Sequence, residues 1–311
     1  HPTGFTLMIK LTRRLFCITL LFLTATGGAL AEGDKLPPLP PVTANATGEH
    51  LPGKIVWADL FSSNQDVSRD FYQKLFGWEW RVIKPQPKGY GMFYLDDVPM
   101  AGLAHRDSPD GGDKYGRWIH YLSVDDVSAA EQVILDRGGK VILSRIGEYP
   151  DRGDFAIAAA PDGALFGVMR TANGDPGEYA AAMGEWIWWQ VYSDSVDATT
   201  EFYVTLAGYE IFESQNPDSI ADLFFTSEGY LRAAAAALPK NTDPEPAPTW
   251  LGMIRVEDVA ATAALAKALG GTLLYGPDPE LMDEDLAIIA DPTGATFAIM
   301  RWTYPEQEAN P

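Results

Sequence analysis

The stretch Asp66-Val67-Ser68-Arg69-Asp70-Phe71-Tyr72-Gln73-Lys74-Leu75-Phe76-Gly77-Trp78 decides how this chain folds. Val67, Phe71 and Leu75 stand four residues apart, the spacing of one buried stripe on an amphipathic helix. Asn64 or Asp66 can cap the start of that helix, and Gly77 can end it. Upstream, residues 55–60 are apolar and β-prone, which predicts a strand. Downstream, short strands are expected at 78–83, 92–95 and 100–105. The pattern then restarts. A strand over 118–124 leads to a helix over 127–137, stopped by Gly138-Gly139, and strands follow at 140–143, 155–160 and 165–169. The order is strand, helix, strand, strand, strand, used twice.

This whole unit is written a second time. Phe71-Tyr72 returns as Phe202-Tyr203, Trp57 as Trp188, Gly77 as Gly208, and Pro161-Asp162-Gly163 as Pro292-Thr293-Gly294, all at an offset of 131 residues. Met169-Arg170 and Met300-Arg301 close the two copies. One offset held across a domain length marks an internal duplication. The copies cover 53–172 and 184–303, joined by a Gly-, Pro- and Ala-rich linker at 173–183 and followed by a tail at 304–311. Ala233 to Ala237 predicts a tightly packed strand or short helix.

Composition narrows the function. The chain has 311 residues, 46% of them hydrophobic and 21% charged, the make-up of a globular protein. Its net charge of −20 opposes phosphate backbones and anionic membrane surfaces, which argues against nucleic acid and membrane as partners. One Cys and four His leave no intrachain disulfide and no Cys-rich zinc site.

The first 31 residues read as upstream sequence followed by a cleavable signal peptide. After Met8 come Lys10, Arg13 and Arg14, an apolar run from Leu15 to Leu23, and Ala29-Leu30-Ala31 as the cleavage site. The apolar run is too short to span a bilayer, so no membrane anchor is expected. Arg13-Arg14 also suits twin-arginine export. The expected location is the bacterial periplasm or the medium. Residues 32–52 are Pro-rich and are expected to form a linker that joins no core.

The chain resembles the vicinal oxygen chelate superfamily, also called the glyoxalase, bleomycin-resistance and dioxygenase superfamily. The helix segment quoted above, Val124-Asp125-Asp126-Val127 and Asp162-Gly163-Ala164-Leu165-Phe166-Gly167 carry the resemblance. It implies an α+β fold of four βαβββ modules forming two tandem domains, in each of which two module sheets cup a cavity. It also implies a divalent cation in the cup, held by His, Gln or Glu from first and last strands. Carried over residue by residue, the first-strand positions fall on Trp57 and Trp188, and the last-strand positions on Gly167 and Ala298. None of these side chains can ligate a metal.

The expectation is therefore no cofactor, and a small apolar or aromatic molecule as the ligand. Trp57, Trp118, Trp188 and Trp250 are candidate walls, since an indole offers a flat apolar face and one N–H. Asp59, His120 and Tyr121 in the first domain, and Gln190 and Arg232 in the second, are candidate polar contacts. Two alternatives stand beside this reading. One is a lyase, isomerase or dioxygenase with one divalent metal in the first domain, using His120, Asp59 and a further partner. The other is a protein–protein module whose cups are filled. A homodimer suits any of the three.

Overall fold

In the computed structural model the first copy folds as β1 (Ile55–Ser62), α1 (Gln65–Phe76), β2 (Glu79–Lys84), β3 (Tyr90–Leu95) and β4 (Val98–His105), then β5 (Gly116–Ser123), α2 (Val127–Asp136), β6 (Lys140–Arg145), β7 (Gly153–Ala159) and β8 (Leu165–Thr171). The second repeats the order. It has β9 (Trp186–Ser193), α3 (Val196–Ala207), β10 (Glu210–Glu213), β11 (Leu223–Ser227) and β12 (Tyr230–Ala237), then β13 (Thr249–Arg255), α4 (Val259–Ala268), β14 (Thr272–Tyr275), β15 (Leu286–Ala290) and β16 (Thr296–Met300). These are the four βαβββ modules. The structure describes residues 38–112, 114–213, 221, 223–239, 246–279 and 284–304. The signal-like segment lies outside them. No helix of the described residues is long and apolar enough to cross a membrane.

Local chemistry sets the helices. Asn64 Oδ1 accepts the Val67 N–H at 3.2 Å, and Gly77 takes φ 73° to close α1. The buried face of α1 is Ser68, Phe71, Tyr72 and Leu75, while Val67 is 39% exposed. The expected stripe through Val67 is thus rotated. Ser68 draws it round, because its hydroxyl is 2.9 Å from that of Ser62 and 3.3 Å from that of Thr293 in the second copy.

Each domain forms one continuous eight-stranded sheet, ordered β2-β3-β4-β1-β5-β8-β7-β6 in the first and β10-β11-β12-β9-β13-β16-β15-β14 in the second. The two module sheets of each domain join edge to edge through antiparallel β1–β5 and β9–β13 pairs. In the first domain the two module sheets also meet across the helix-free face, where Tyr90 and Met92 of one pack with Arg152 and Phe155 of the other. Alternation along each strand then sends side chains to a helix face or to a helix-free face.

The helix faces of the two sheets meet. α1 packs on α4 and α2 on α3, and one apolar cluster takes Leu60, Phe71 and Phe166 from the first copy with Val191, Phe202 and Phe297 from the second. Turn carboxylates cross the same boundary. Asp162 Oδ2 accepts the Ser193 and Thr199 hydroxyls at 2.9 and 3.1 Å, and Asp291 Oδ2 lies 3.4 Å from the Ser68 hydroxyl. Two smaller clusters line the helix-free faces, one around Trp57, Met92 and Tyr121, the other around Leu251, Met253 and Met300.

The Pro-rich segment is not the bare linker expected from its composition. Val42 is 4% exposed and packs in the Trp57 cluster with Leu39 beside it. Ala46 bridges to Pro176, and the Asp175 carboxylate accepts the Leu51 N–H and the Thr171 hydroxyl, both at 2.7 Å. The reason is the sheet beneath. An apolar helix-free face left open would be a large exposed patch, and a segment of prolines covers it without presenting many N–H groups that need partners.

Candidate functional site

The expected site residues divide between the two faces of the sheets. Trp57 pairs with Tyr121 and Asp59 with Ile119 across β1–β5, so Trp57, Asp59 and Tyr121 share the helix-free face. Asp59 is their hub. Its Oδ1 accepts Trp57 Nε1–H and the Tyr90 hydroxyl, each at 2.9 Å, and its Oδ2 accepts the Tyr121 hydroxyl at 2.9 Å. Arg152, 2% exposed, completes the network. Its Nε donates to the Pro40 carbonyl at 2.6 Å, its Nη1 lies 3.4 Å from the Tyr90 hydroxyl, and its guanidinium sits 4.9 Å from the centre of the Trp57 ring. Burial pushes both tyrosine hydroxyls above their ordinary pKa. A Cβ added at Gly102 would meet Asp59 Oδ1 at 1.9 Å, and one at Gly167 would meet Tyr121 Cδ1 at 2.2 Å. The first cup is filled by its own side chains and the strap at 38–45.

Trp118 and His120 do not belong to this group, because they project from the helix face. Trp118 Nε1 donates to the Tyr72 hydroxyl at 2.9 Å. His120 is fully buried between the rings of Trp250 and Trp189, at 4.3 and 5.0 Å between centroids. Burial alone takes its pKa down to about 3, so the ring is neutral. Neither ring nitrogen has a partner among the described residues. The register opposes Ala58, not Asp59, to His120, so the two side chains named for a metal leave opposite sides of the sheet. His105 is held at a strand end by Asp107 at 2.9 Å.

The second domain divides in the same way. Ala234 pairs with Gln190 and Trp188 with Met253, which places Trp188, Gln190 and Arg232 on the helix-free face. Trp250 points the other way and donates Nε1–H to the Tyr203 hydroxyl at 2.7 Å. The pairs Trp118–Tyr72 and Trp250–Tyr203 are the same contact in the two copies. They explain why each helix carries Phe-Tyr.

A cleft of about 460 Å³ opens where the first residues of β1 and β9 approach beneath the linker. Trp57, Trp186 and Trp188 form apolar walls, and Lys54, Glu178 and Arg232 line it with charge. Glu178 Oε1 lies 2.6 Å from Arg232 Nη1 and 3.1 Å from Lys54 Nζ. Burial lowers the pKa of Lys54, with Glu178 opposing it. Burial raises that of Glu178, but the Arg232 hydrogen bond and the Lys54 charge outweigh it and hold the carboxyl below its usual range. Lys54 and Glu178 were not expected here. One lies just before β1 and the other sits in a linker, and no local pattern marks either.

Comparison with known proteins follows the duplication. Residues 54–168 and 187–299 each match the model of the Glyoxalase/Bleomycin resistance protein/Dioxygenase superfamily. The chain belongs to this superfamily. It is 27% identical over 263 residues to the "Putative glyoxylase CFP32" of Mycobacterium bovis, covering 81% of this chain and 96% of that protein. It is 28% identical over 270 residues to the anthracycline biosynthesis protein DnrV of Streptomyces peucetius, covering 82% and 96%. Among solved structures, the Mn(II)-bound glyoxalase of Novosphingobium aromaticivorans superposes with TM-score 0.54 at 17% identity, over 81% of this chain and 83% of that one. The 2,3-dioxygenase LapB of Pseudomonas sp. KL28 gives 0.54 at 15%, over 84% and 96%. At these identities the superposition speaks for the fold.

The superfamily's divalent cation can be tested against the side chains present. Trp57 and Trp188 offer indoles, Gly167 has its Cβ position taken by Tyr121, and Ala298 is fully buried beside Met253. Asp59 spends both oxygens on three donors. Among the described residues no three His, Cys, Asp or Glu side chains converge as a metal site. This donor set does not fit the cation.

Proposed function

We propose that this superfamily member is a binding protein that works without a metal and takes a planar aromatic molecule in the cleft between its two domains. The observation that carries the reading is the position of Trp57 and Trp188. They occupy the places the family gives to metal ligands, and both rings wall the same cleft. A cavity of about 460 Å³ lies in the size range of small-molecule sites. Flat indole faces supply affinity for a flat ring system, and the kinship with an anthracycline biosynthesis protein accords with a planar polycyclic ligand. The test is calorimetric titration of the purified protein with a panel of aromatic and aliphatic molecules. Aromatic members should bind, and Trp188→Ala should weaken them about tenfold or more. Equal binding of aliphatic molecules, or none by aromatic ones, would remove the reading.

A second reading, a metal-dependent lyase or dioxygenase, is favoured by the fold's likeness to a Mn(II)-bound glyoxalase. Elemental analysis separates the two. Stoichiometric transition metal in the purified protein, lost in Asp59→Ala, would support the enzyme. We further propose export from the cytoplasm, on the basic and apolar segments that precede Ala31. Amino-terminal sequencing of the secreted protein tests this, with Glu32 the expected first residue.

A further inference from the structure

Arg232 lines this cleft with its bonding incomplete. Its side chain is 3% exposed. Nη1 is committed to Glu178, but Nε and Nη2 are buried with no acceptor among the described residues. Those two atoms form one edge of the guanidinium, with parallel N–H bonds at the spacing of a carboxylate's oxygens. A buried donor pair left open costs stability, so an edge of this kind suits an acceptor brought in from outside. Trp188 Nε1, on the same face of the sheet, is likewise buried without a partner among the described residues. Lys54 adds a second cation close by. Glu185, the other carboxylate on the cleft wall, is turned to the linker, its Oε2 accepting the Ala182 N–H at 2.9 Å.

We infer that the ligand class is the aromatic carboxylates. The ring lies against Trp188 and the carboxylate is gripped side-on by Arg232 Nε and Nη2. Glu178 holds the guanidinium through Nη1 and leaves Nε and Nη2 uncommitted. The chain as a whole is strongly acidic, so this grip is local: it is made by two aimed hydrogen bonds and not by a general positive field. The inference rests on the cleft being a small-molecule site, as proposed above.

The test is calorimetry on the full chain with 2-naphthoate and 2-naphthamide, which share a ring system and differ in charge. At pH 7 the naphthoate should bind about tenfold or more tightly than the amide. Arg232→Met should bring the naphthoate to the level of the amide and leave the amide within about twofold. Arg232→Lys, which keeps the charge and loses the fork, should recover only part of the preference. Should Arg232→Met fail to fold, the two probes on the unaltered protein decide the matter. Equal affinity for both probes would overturn the carboxylate inference and leave the aromatic site standing. Binding of neither probe would overturn the site itself.

Discussion

The imidazole of His120 and the indole of Trp250, contributed by different copies of the repeat, lie 4.3 Å apart between centroids. The contact places a titratable ring in the shared core, where burial lowers its pKa to about 3. In the unfolded chain the same group titrates near 6.5. Below that pH the unfolded state takes up a proton that the folded state refuses. This contribution to stability is therefore complete above about pH 6.5 and is lost as pH falls toward 3, at up to about 1.4 kcal/mol per pH unit. His120→Phe should abolish it. Thermal melts of the variant should decline less between pH 7 and 4 than those of the unaltered protein, and parallel declines would refute the assignment.

Asp59 gathers three donors into the first cup. Removing the acceptor strands Trp57 Nε1–H and the hydroxyls of Tyr90 and Tyr121 in a buried place. Asp59→Ala should cost about 3 kcal/mol or more in urea unfolding, and Asp59→Asn about 1–2 kcal/mol, since the amide oxygen still accepts. A neutral result for Asp59→Ala would mean that the network is not closed.

Two glycines give a paired test of packing. Gly167→Ala forces Tyr121 aside and should lower stability by about 1–3 kcal/mol. Gly177→Ala meets only Thr47 Cγ2 at 3.5 Å and should stay within about 0.5 kcal/mol. Chemical denaturation of both variants, side by side, checks the contrast.

The strap at 38–45 should behave as core. Val42→Ala removes two methyl groups from the Trp57 cluster and should cost about 2 kcal/mol. A surface linker would show no change in the same denaturation midpoint.

Much of the architecture was legible because it depends on local and periodic signals. The cap at Asn64, the stop at Gly77 and the constant offset between copies are written in neighbouring residues, and the module order follows from them. The site was legible only in part. Trp57, Asp59 and Tyr121 come together through hydrogen bonds, and Trp188, Gln190 and Arg232 share one face of the second sheet. Trp118, His120 and Trp250 turned out to face the helices, because one step along a strand reverses the side chain, so that His120 and Tyr121, neighbours on β5, leave opposite faces. Val67 fell out of its stripe for a similar reason: a hydroxyl contact from Ser68 to the other copy outranks a valine on the surface. The strap was misjudged because prolines look like a tether until the apolar face they cover is known. Lys54 and Glu178 needed the tertiary fold to bring a strand end and a linker together.

The crossed carboxylate contacts bear on how this chain could have arisen and how it comes apart. Asp162 serves the helix start of the later copy, while Asp291, two residues upstream of its formal counterpart, serves the helix start of the earlier one. A single copy released from its sibling would keep only its own turn's donors to that acid, lose the hydroxyls across the boundary, and carry a bare oily flank. The ancestral unit would then have needed a twin from the outset, and fusion would have made permanent a pairing that already existed. Melting should accordingly run as one event, with no stage at which half the protein survives alone.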